Sequence, residues 1–110
     1  MEPTTRKEKG SVIVSVKGRI DAVTCSDIEK YLSEAVAGDE KFLVLNLNEV
    51  DYISSAGLRS ILVIARKLKA QQGEFVLAGL QQQVKRVIEM SGFGSFLRIF
   101  DTEEDALEQI

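Results

Sequence analysis

The feature that most constrains the fold is a strand pattern that passes shortly afterwards into a helix pattern. Residues 42–47 (FLVLNL) form a run with the length and apolar character of a buried strand. Beyond them, apolar side chains recur at helical spacing, at Leu58, Ile61, Leu62, Ala65 and Leu68. Ser54 and Ser55 therefore lie where a strand passes into the first turn of a helix. One serine at such a place is usual, because its oxygen caps an unpaired backbone N–H; the second leaves a hydroxyl beside the small residues Ala56 and Gly57.

The rest of the chain alternates between the same two patterns. Val12, Val14 and Val16 alternate with polar residues, which predicts a strand over residues 11–18. A turn at Lys9 and Gly10 predicts a short antiparallel partner strand at residues 4–7. The remaining predicted elements are strands at 74–79 and 96–100 and helices that begin near residues 24, 58, 84 and 101. Thr24 is the predicted N-cap of one capping box, and residues 101–104 (DTEE) form a second box. Met90 is counted with the apolar residues that indicate the third helix, and Phe93 and Phe96 are expected to be core or turn-packing aromatics.

This order of elements predicts an α/β fold. Parallel neighbours require crossover connections, and helices between successive strands supply them. We therefore expect a mixed, mainly parallel sheet of four to five strands with about four helices, in a single domain over residues 1–110. In such sheets, sites gather where strands end and helices begin. Two predicted loops qualify, residues 18–21 (GRID) and 52–57 (YISSAG), and we expect them to share one edge.

Composition excludes several classes of function. A net charge of −3 and a pI near 5.0 argue against a nucleic-acid-binding surface. No apolar run approaches the roughly 20 residues of a membrane span, and the N-terminus lacks the apolar centre of a signal peptide. Cys25 is the only cysteine, which excludes an internal disulfide and fits a reducing compartment. A cytoplasmic protein is the simplest expectation, with no direct contact to nucleic acid or membrane.

Catalytic chemistry is poorly represented in the sequence. The chain has no histidine, so a Ser-His-Asp triad cannot form and the usual neutral-pH base is missing. One cysteine without histidine cannot build a common structural zinc site. Neither glycine-rich phosphate-loop pattern occurs. We therefore predict a protein that is not an enzyme and that has no catalytic residues, metal or cofactor.

Four short segments together resemble the STAS domain, and more narrowly the stand-alone bacterial anti-sigma factor antagonists. The segments are GRID at 18–21, LNL at 45–47, YISSAGL at 52–58 and MSGF at 90–93, and the similarity extends over nearly the whole chain. The resemblance implies a partner that is both an anti-sigma factor and a serine kinase. In this family the kinase phosphorylates the serine two residues before the motif glycine, which is Ser55 here, and a PP2C-type phosphatase reverses the modification. Many members carry aspartate before that serine, whereas this chain has Ser54, an alternate phosphorylation site.

The resemblance also implies a partner-binding surface around that serine. It would comprise Asp21, Ser54, Ser55, Ala56, Gly57 and Arg59. The residues themselves leave alternatives open. One serine caps the helix while the other is a small loop residue or the modified one, and Asp21 is either a turn residue or a partner contact. Gly57 serves either close approach by a kinase or internal packing, and Arg59 faces a phosphate, a partner's acid or solvent.

The function implied by these residues is a phosphorylation-controlled anti-sigma factor antagonist. Unmodified, it would bind the anti-sigma factor and so release a sigma factor; phosphorylated, it would let the anti-sigma factor go. A first alternative is a constitutive STAS docking subunit of a transporter or signalling complex, in which Ser55 is only a cap. A second is a sensor that binds a small ligand, such as a nucleotide, at the same helix N-terminus.

Overall fold

The computed structural model describes residues 3–8, 10–38 and 40–109. Its strands and helices follow one another in the alternating order that the sequence predicts. The strands are β1 (Thr4–Glu8), β2 (Ser11–Ile20), β3 (Phe42–Ile53), β4 (Glu74–Ala78) and β5 (Arg98–Phe100). The helices are α1 (Cys25–Ala35), α2 (Ser55–Ala70), α3 (Gln82–Met90) and α4 (Glu103–Leu107). Of the predicted turn at Lys9 and Gly10, Lys9 lies outside the described residues, and Gly10 has a φ of 78°.

The strands form one sheet in their sequence order, β1-β2-β3-β4-β5. The first two strands pair antiparallel, and every later neighbour is parallel. The predicted mixed, mainly parallel sheet with about four helices is thereby confirmed. β1 lies at one edge, where all five of its side chains are exposed and Arg6 forms ion pairs with Glu8 and Glu103. At the other edge, β5 has only three residues.

Both faces of the sheet are buried, which explains the uninterrupted apolar run in β3. Consecutive strand residues point to opposite faces, so Leu43 and Leu45 enter one core while Val44 enters the other. The larger core packs the sheet against α1, α2 and α3, and the smaller one packs it against α4. Members of the larger core include Val12, Val14, Ile28, Leu32, Ile61, Val84 and Ile88; the smaller core holds Ile13, Val76, Ala78, Ala106 and Leu107.

The two central strands run further than the sequence pattern predicts. β2 continues to Ile20 and β3 to Ile53, so most of the predicted loops at 18–21 and 52–57 is regular structure and that expectation was wrong. The reason is two register shifts in the β2–β3 ladder, the second of which lies at Gly18, whose φ is 99°. An extra residue at such an irregularity interrupts strict alternation. Pairing nevertheless resumes, and Val50 and Ile53 return to the core.

The two predicted capping boxes have different outcomes. The helix predicted to open with a box over residues 101–104 is present as α4, but its N-cap is Thr102, whose hydroxyl accepts a hydrogen bond from the Asp105 N–H at 3.0 Å. The predicted Thr24 box was wrong, because Thr24 makes no side-chain cap to α1. Its hydroxyl instead donates to the carbonyl of Arg19 and accepts from the N–H of Asp21. The competing backbone groups of the preceding turn take the oxygen that a capping box would use.

Three apolar residues near the end of α3 are more exposed than predicted. Met90 is 81% exposed, and Phe93 and Phe96 are 36% and 47% exposed. The predicted strand over 96–100 starts only at Arg98, because the N–H groups of Phe96 and Leu97 donate to the carbonyl of Phe93 and form a turn. From this turn only Leu97 is buried. Of the two alternatives for Phe93 and Phe96, a place in the core is wrong and a place in a turn is observed. Met90 lies in α3 as predicted, although its side chain is outside the core.

Candidate functional site

Ser54 is the N-cap of α2. Its Oγ accepts a hydrogen bond from the Gly57 N–H at 3.1 Å. Its own N–H donates to the carbonyl of Ile20 at 2.9 Å, and its carbonyl accepts from the N–H of Leu58 at 2.9 Å. With side chain, donor and acceptor all engaged, Ser54 is the structural member of the serine pair.

Ser55 is the first residue of α2 and has an exposed side chain. Within the part of the chain that the structure describes, its hydroxyl forms no hydrogen bond. The first turn of α2 contains no acidic residue, so the unpaired N–H groups and the positive end of the helix dipole are not neutralised there. The two serines are thus divided between a cap and an accessible hydroxyl in an electropositive place.

Gly57 is required by internal packing. A Cβ at this position would lie 2.5 Å from the carbonyl oxygen of Ile20 and 2.7 Å from its Cγ2. The start of α2 therefore sits directly on the end of β2, and Ala56 beside it is half-buried. This contact brings the end of the GRID segment and the serine pair to one edge of the sheet, as predicted from the topology. Of the two alternatives for Gly57, the geometry supports packing.

Asp21 organises the turn between β2 and α1. Its Oδ1 accepts hydrogen bonds from the N–H groups of Val23 at 3.0 Å and Thr24 at 3.2 Å. Its Oδ2 lies 3.3 Å from Nε of Arg19. The hydrogen bond from the Thr24 backbone is the largest cause that lowers the pKa of the Asp21 carboxyl, followed by those from Val23 and Arg19. The turn role of Asp21 is thus observed, and a role toward a partner stays a prediction.

Arg19 and Tyr52 form a second feature of this edge, which the sequence analysis did not single out. The two residues are register partners on β2 and β3, and the Arg19 guanidinium lies 4.1 Å from the centroid of the Tyr52 ring. Tyr52 is 40% exposed, and Val23 in the neighbouring turn is 85% exposed. Alternation along each strand could have indicated outward positions, but only the shifted register places the arginine over the ring.

Arg59 forms part of the wall of a cleft that also includes Ser55. The cleft has a volume of about 640 Å³ and lies between α2 and the end of α3. Its walls are formed by Ser55, Leu58, Arg59, Leu62, Val63, Arg66, Val87, Met90, Ser91 and Phe93. Arg59 is exposed and forms no ion pair with any described residue. Of the three alternatives for Arg59, the structure therefore leaves it available to a phosphate or a partner.

Two other kinds of site are absent from residues 3–8, 10–38 and 40–109. In these ranges no group of three or more acidic or cysteine side chains is placed to hold a metal ion. Over the same residues, no helix is both long enough and apolar enough to cross a membrane.

The chain is similar to known proteins both in sequence and in fold. Residues 2–106 match the sequence model of the family described as the STAS domain. BtrV of Bordetella bronchiseptica, which carries the provisional name of anti-sigma factor antagonist, is 38% identical over 106 residues, covering 96% of this chain and 91% of BtrV. The crystal structure of an anti-sigma factor antagonist from Mycobacterium paratuberculosis has a TM-score of 0.91 at 27% identity, covering 99% of this chain and 92% of that one.

A further solved structure relates the fold to a modified protein. Bacillus SpoIIAA in its phosphorylated form has a TM-score of 0.74 at 22% identity, and the alignment covers 98% of each chain. At this identity the likeness concerns the fold alone. The resemblance predicted from the GRID and YISSAGL segments is confirmed by the family match and the named relatives.

The Gly57 contact predicts an unusual response to alanine. Replacement of a glycine inside a helix by alanine normally raises the free energy of unfolding by about 1 kcal/mol. We expect Gly57→Ala instead to lower the free energy of unfolding by roughly 1–3 kcal/mol, because the new methyl group meets a backbone carbonyl that cannot rotate away. Gly94→Ala, whose Cβ meets only ordinary contacts at 3.7 Å or more, is the control. Urea unfolding of both variants measures the difference, and equal stability would contradict the packing role.

The hydrogen bonds of Asp21 predict a pH dependence of the turn before α1. Because its folded-state pKa lies below the unfolded value, its contribution to stability is present above the usual aspartate range and is lost as pH falls through the lowered value. We expect the Asp21 carboxyl carbon to titrate at lower pH in the folded protein than in a short unstructured peptide. Carbon-detected NMR titration measures both midpoints, and a midpoint equal to that of the peptide would contradict the hydrogen-bonded turn.

Proposed function

Because the chain belongs to the STAS domain family, we propose that it is a phosphorylation-controlled anti-sigma factor antagonist. Relatives that align with nearly its whole length carry the name anti-sigma factor antagonist, which denotes a regulatory binding protein rather than an enzyme. In this proposal the chain binds an anti-sigma factor that is also a serine kinase, and a sigma factor is released in consequence. A PP2C-type phosphatase restores the unmodified protein. These partners act on transcription, which assigns the protein to the cytoplasm.

One observation carries the proposal: the two adjacent serines differ in hydrogen bonding and in exposure. Ser54 is held as a cap, whereas Ser55 presents an exposed hydroxyl without a hydrogen bond to the described residues. A kinase needs a hydroxyl that it can reach without disrupting the fold, and the exposed Ser55 hydroxyl meets that need. Serine and aspartate are equally good N-caps, so Ser54 fills structurally the position where many family members have aspartate.

The start of α2 can accept a phosphate without refolding. Phosphorylation adds about −1.5 to −2 charges at neutral pH. At a helix N-terminus the unpaired N–H groups and the dipole stabilise such an anion. Arg59 lies one helical turn after Ser55 on the same face and has no ion-pair partner among the described residues. The modified protein therefore keeps its fold and changes the charge of its outer surface.

The same charge weakens binding to a partner that has packed against an uncharged hydroxyl. The nucleotide-binding cleft of a kinase already faces negative phosphates, and a further buried anion meets repulsion and a desolvation cost. A complex with a Kd near ~1 µM has about 8 kcal/mol of binding free energy, and a loss of about 2.8 kcal/mol weakens it roughly a hundredfold. One phosphate is therefore sufficient for release.

The proposal makes a prediction about the site of modification. We expect the cognate kinase and ATP to label Ser55 and not Ser54, because the Ser54 oxygen is engaged in the cap. The kinase is recovered from the native cell by pull-down with this protein, and peptide mapping by mass spectrometry then locates the phosphate. Ser55→Ala is expected to abolish labelling. Phosphate on Ser54 alone, or undiminished labelling of Ser55→Ala, would show that the assignment is wrong.

A second prediction concerns the energetics of the switch. We expect Ser55→Asp to bind the anti-sigma factor about a hundredfold more weakly than the parent, and Ser55→Ala to bind about as well as the parent. Both should keep the thermal midpoint and circular dichroism of the parent, because the helix N-terminus accommodates an anion. Calorimetric titration measures the affinities, with Ser95→Asp, an exposed serine before β5, as the control for added charge. Unchanged affinity of Ser55→Asp, or loss caused by unfolding, would instead favour a constitutive docking role.

A further inference from the structure

The cleft beside Ser55, between α2 and the end of α3, carries exposed apolar side chains. Leu58 and Leu62 form its buried floor, and Val63 and Met90 stand at its rim with 40% and 81% of their surface exposed. Phe93 closes one end and is 36% exposed. Flexible, polarisable methionines are common at surfaces that bind other proteins.

The charge of the cleft defines the chemistry of its occupant. Arg59 and Arg66 lie two turns apart on one face of α2, and both contribute to its walls. Neither forms an ion pair with a described residue, and none of the wall residues is acidic. In a chain whose net charge is −3, this is a local concentration of positive charge over an apolar floor. The complementary surface is an apolar segment that carries acidic side chains.

The cleft is continuous with the proposed modification site, because Ser55 forms part of its wall. A protein that covers Ser55 must therefore approach or cover the cleft as well. We propose that the anti-sigma factor inserts an acidic, apolar segment into this cleft, so that it holds the chain at two adjacent places. This inference rests on the proposed function and adds to it the location and chemistry of a second contact.

The two arginines then have different roles in release. Arg59 is one turn from Ser55, within reach of a phosphate there, so that phosphorylation withdraws it from the partner's acidic side chain. Arg66 is eleven residues beyond Ser55, about 16 Å along the helix axis, and is not reached by the phosphate. Substitutions of Arg66 and Met90 therefore test docking in the cleft separately from the effect of phosphorylation at Ser55.

The test compares charge reversal inside and outside the cleft. Arg66→Glu places an acid in the cleft wall, whereas Lys67→Glu makes the same change at the next residue, which is exposed and is not part of the wall. We expect Arg66→Glu to weaken calorimetric binding of the purified anti-sigma factor roughly tenfold or more, with a reduced dependence on salt, and Lys67→Glu to change it less than about twofold. As kinase substrate, Arg66→Glu should show a raised KM with little change in kcat, because docking and not the reacting serine is affected.

A second pair of variants tests the apolar contact. Met90→Asp should weaken binding roughly tenfold or more, and Phe96→Asp, at an exposed apolar residue outside the cleft, should not. Thermal midpoints of all variants show whether each remains folded. Equal affinities of Arg66→Glu and Lys67→Glu, with Ser55→Asp still defective, would overturn the cleft proposal and leave the proposed function intact. Absence of binding by the parent would overturn both.

Two other occupants are separate outcomes of the same experiments. If the parent self-associates in light scattering and Met90→Asp is monomeric, the cleft belongs to a second copy of the chain and the proposal is wrong. If decanoate binds the parent but not Met90→Asp, while both bind the anti-sigma factor equally, the cleft takes an amphiphilic anion and the proposal is also wrong.

Discussion

The candidate site depends on one backbone carbonyl, that of Ile20 at the end of β2. It accepts the hydrogen bond from the Ser54 N–H, and it leaves no space for a side chain at residue 57. These two contacts fix the entry of α2 and its distance from the sheet. With Ser54 held in this way, the next residue must begin the helix with its side chain outward. The exposure of Ser55 is thus a consequence of backbone packing, and the residue that we propose is modified contributes little to the fold itself.

The sequence predicted the parts of the structure that depend on local pattern. The apolar residues 42–47 indicated a buried strand, and burial on both faces explains why the run has no polar alternation. Helical spacing after Leu58 located α2, and the position of the serines at its start followed from these two elements. The shared edge of the GRID and YISSAG segments could be predicted because parallel strands place their carboxyl ends together.

The remaining features depend on contacts that local pattern does not encode. The register shifts at Ser15 and Gly18 set which β3 residue faces Arg19, so the stacking on Tyr52 could not be read from strand alternation. Thr24 had the sequence signature of a cap, but its hydroxyl bonds to the turn that Asp21 organises. The cleft depends on how the end of α3 meets α2, and Met90 has the spacing of a core residue although it lies outside the core.

Under the proposed function, the edges of the sheet have a consequence for a chain that moves between partners. Such a protein spends part of its time unbound, when an open sheet edge can pair with another copy and begin a cross-β aggregate. At one edge, β1 carries Arg6, Lys7 and Glu8 on exposed positions, and at the other, β5 is only three residues long. Charged or very short edge strands disfavour addition of a further strand. The same edges disfavour loss of the free protein to fibrils, so that under the proposed function its available amount is left to be set by its partners and its modification.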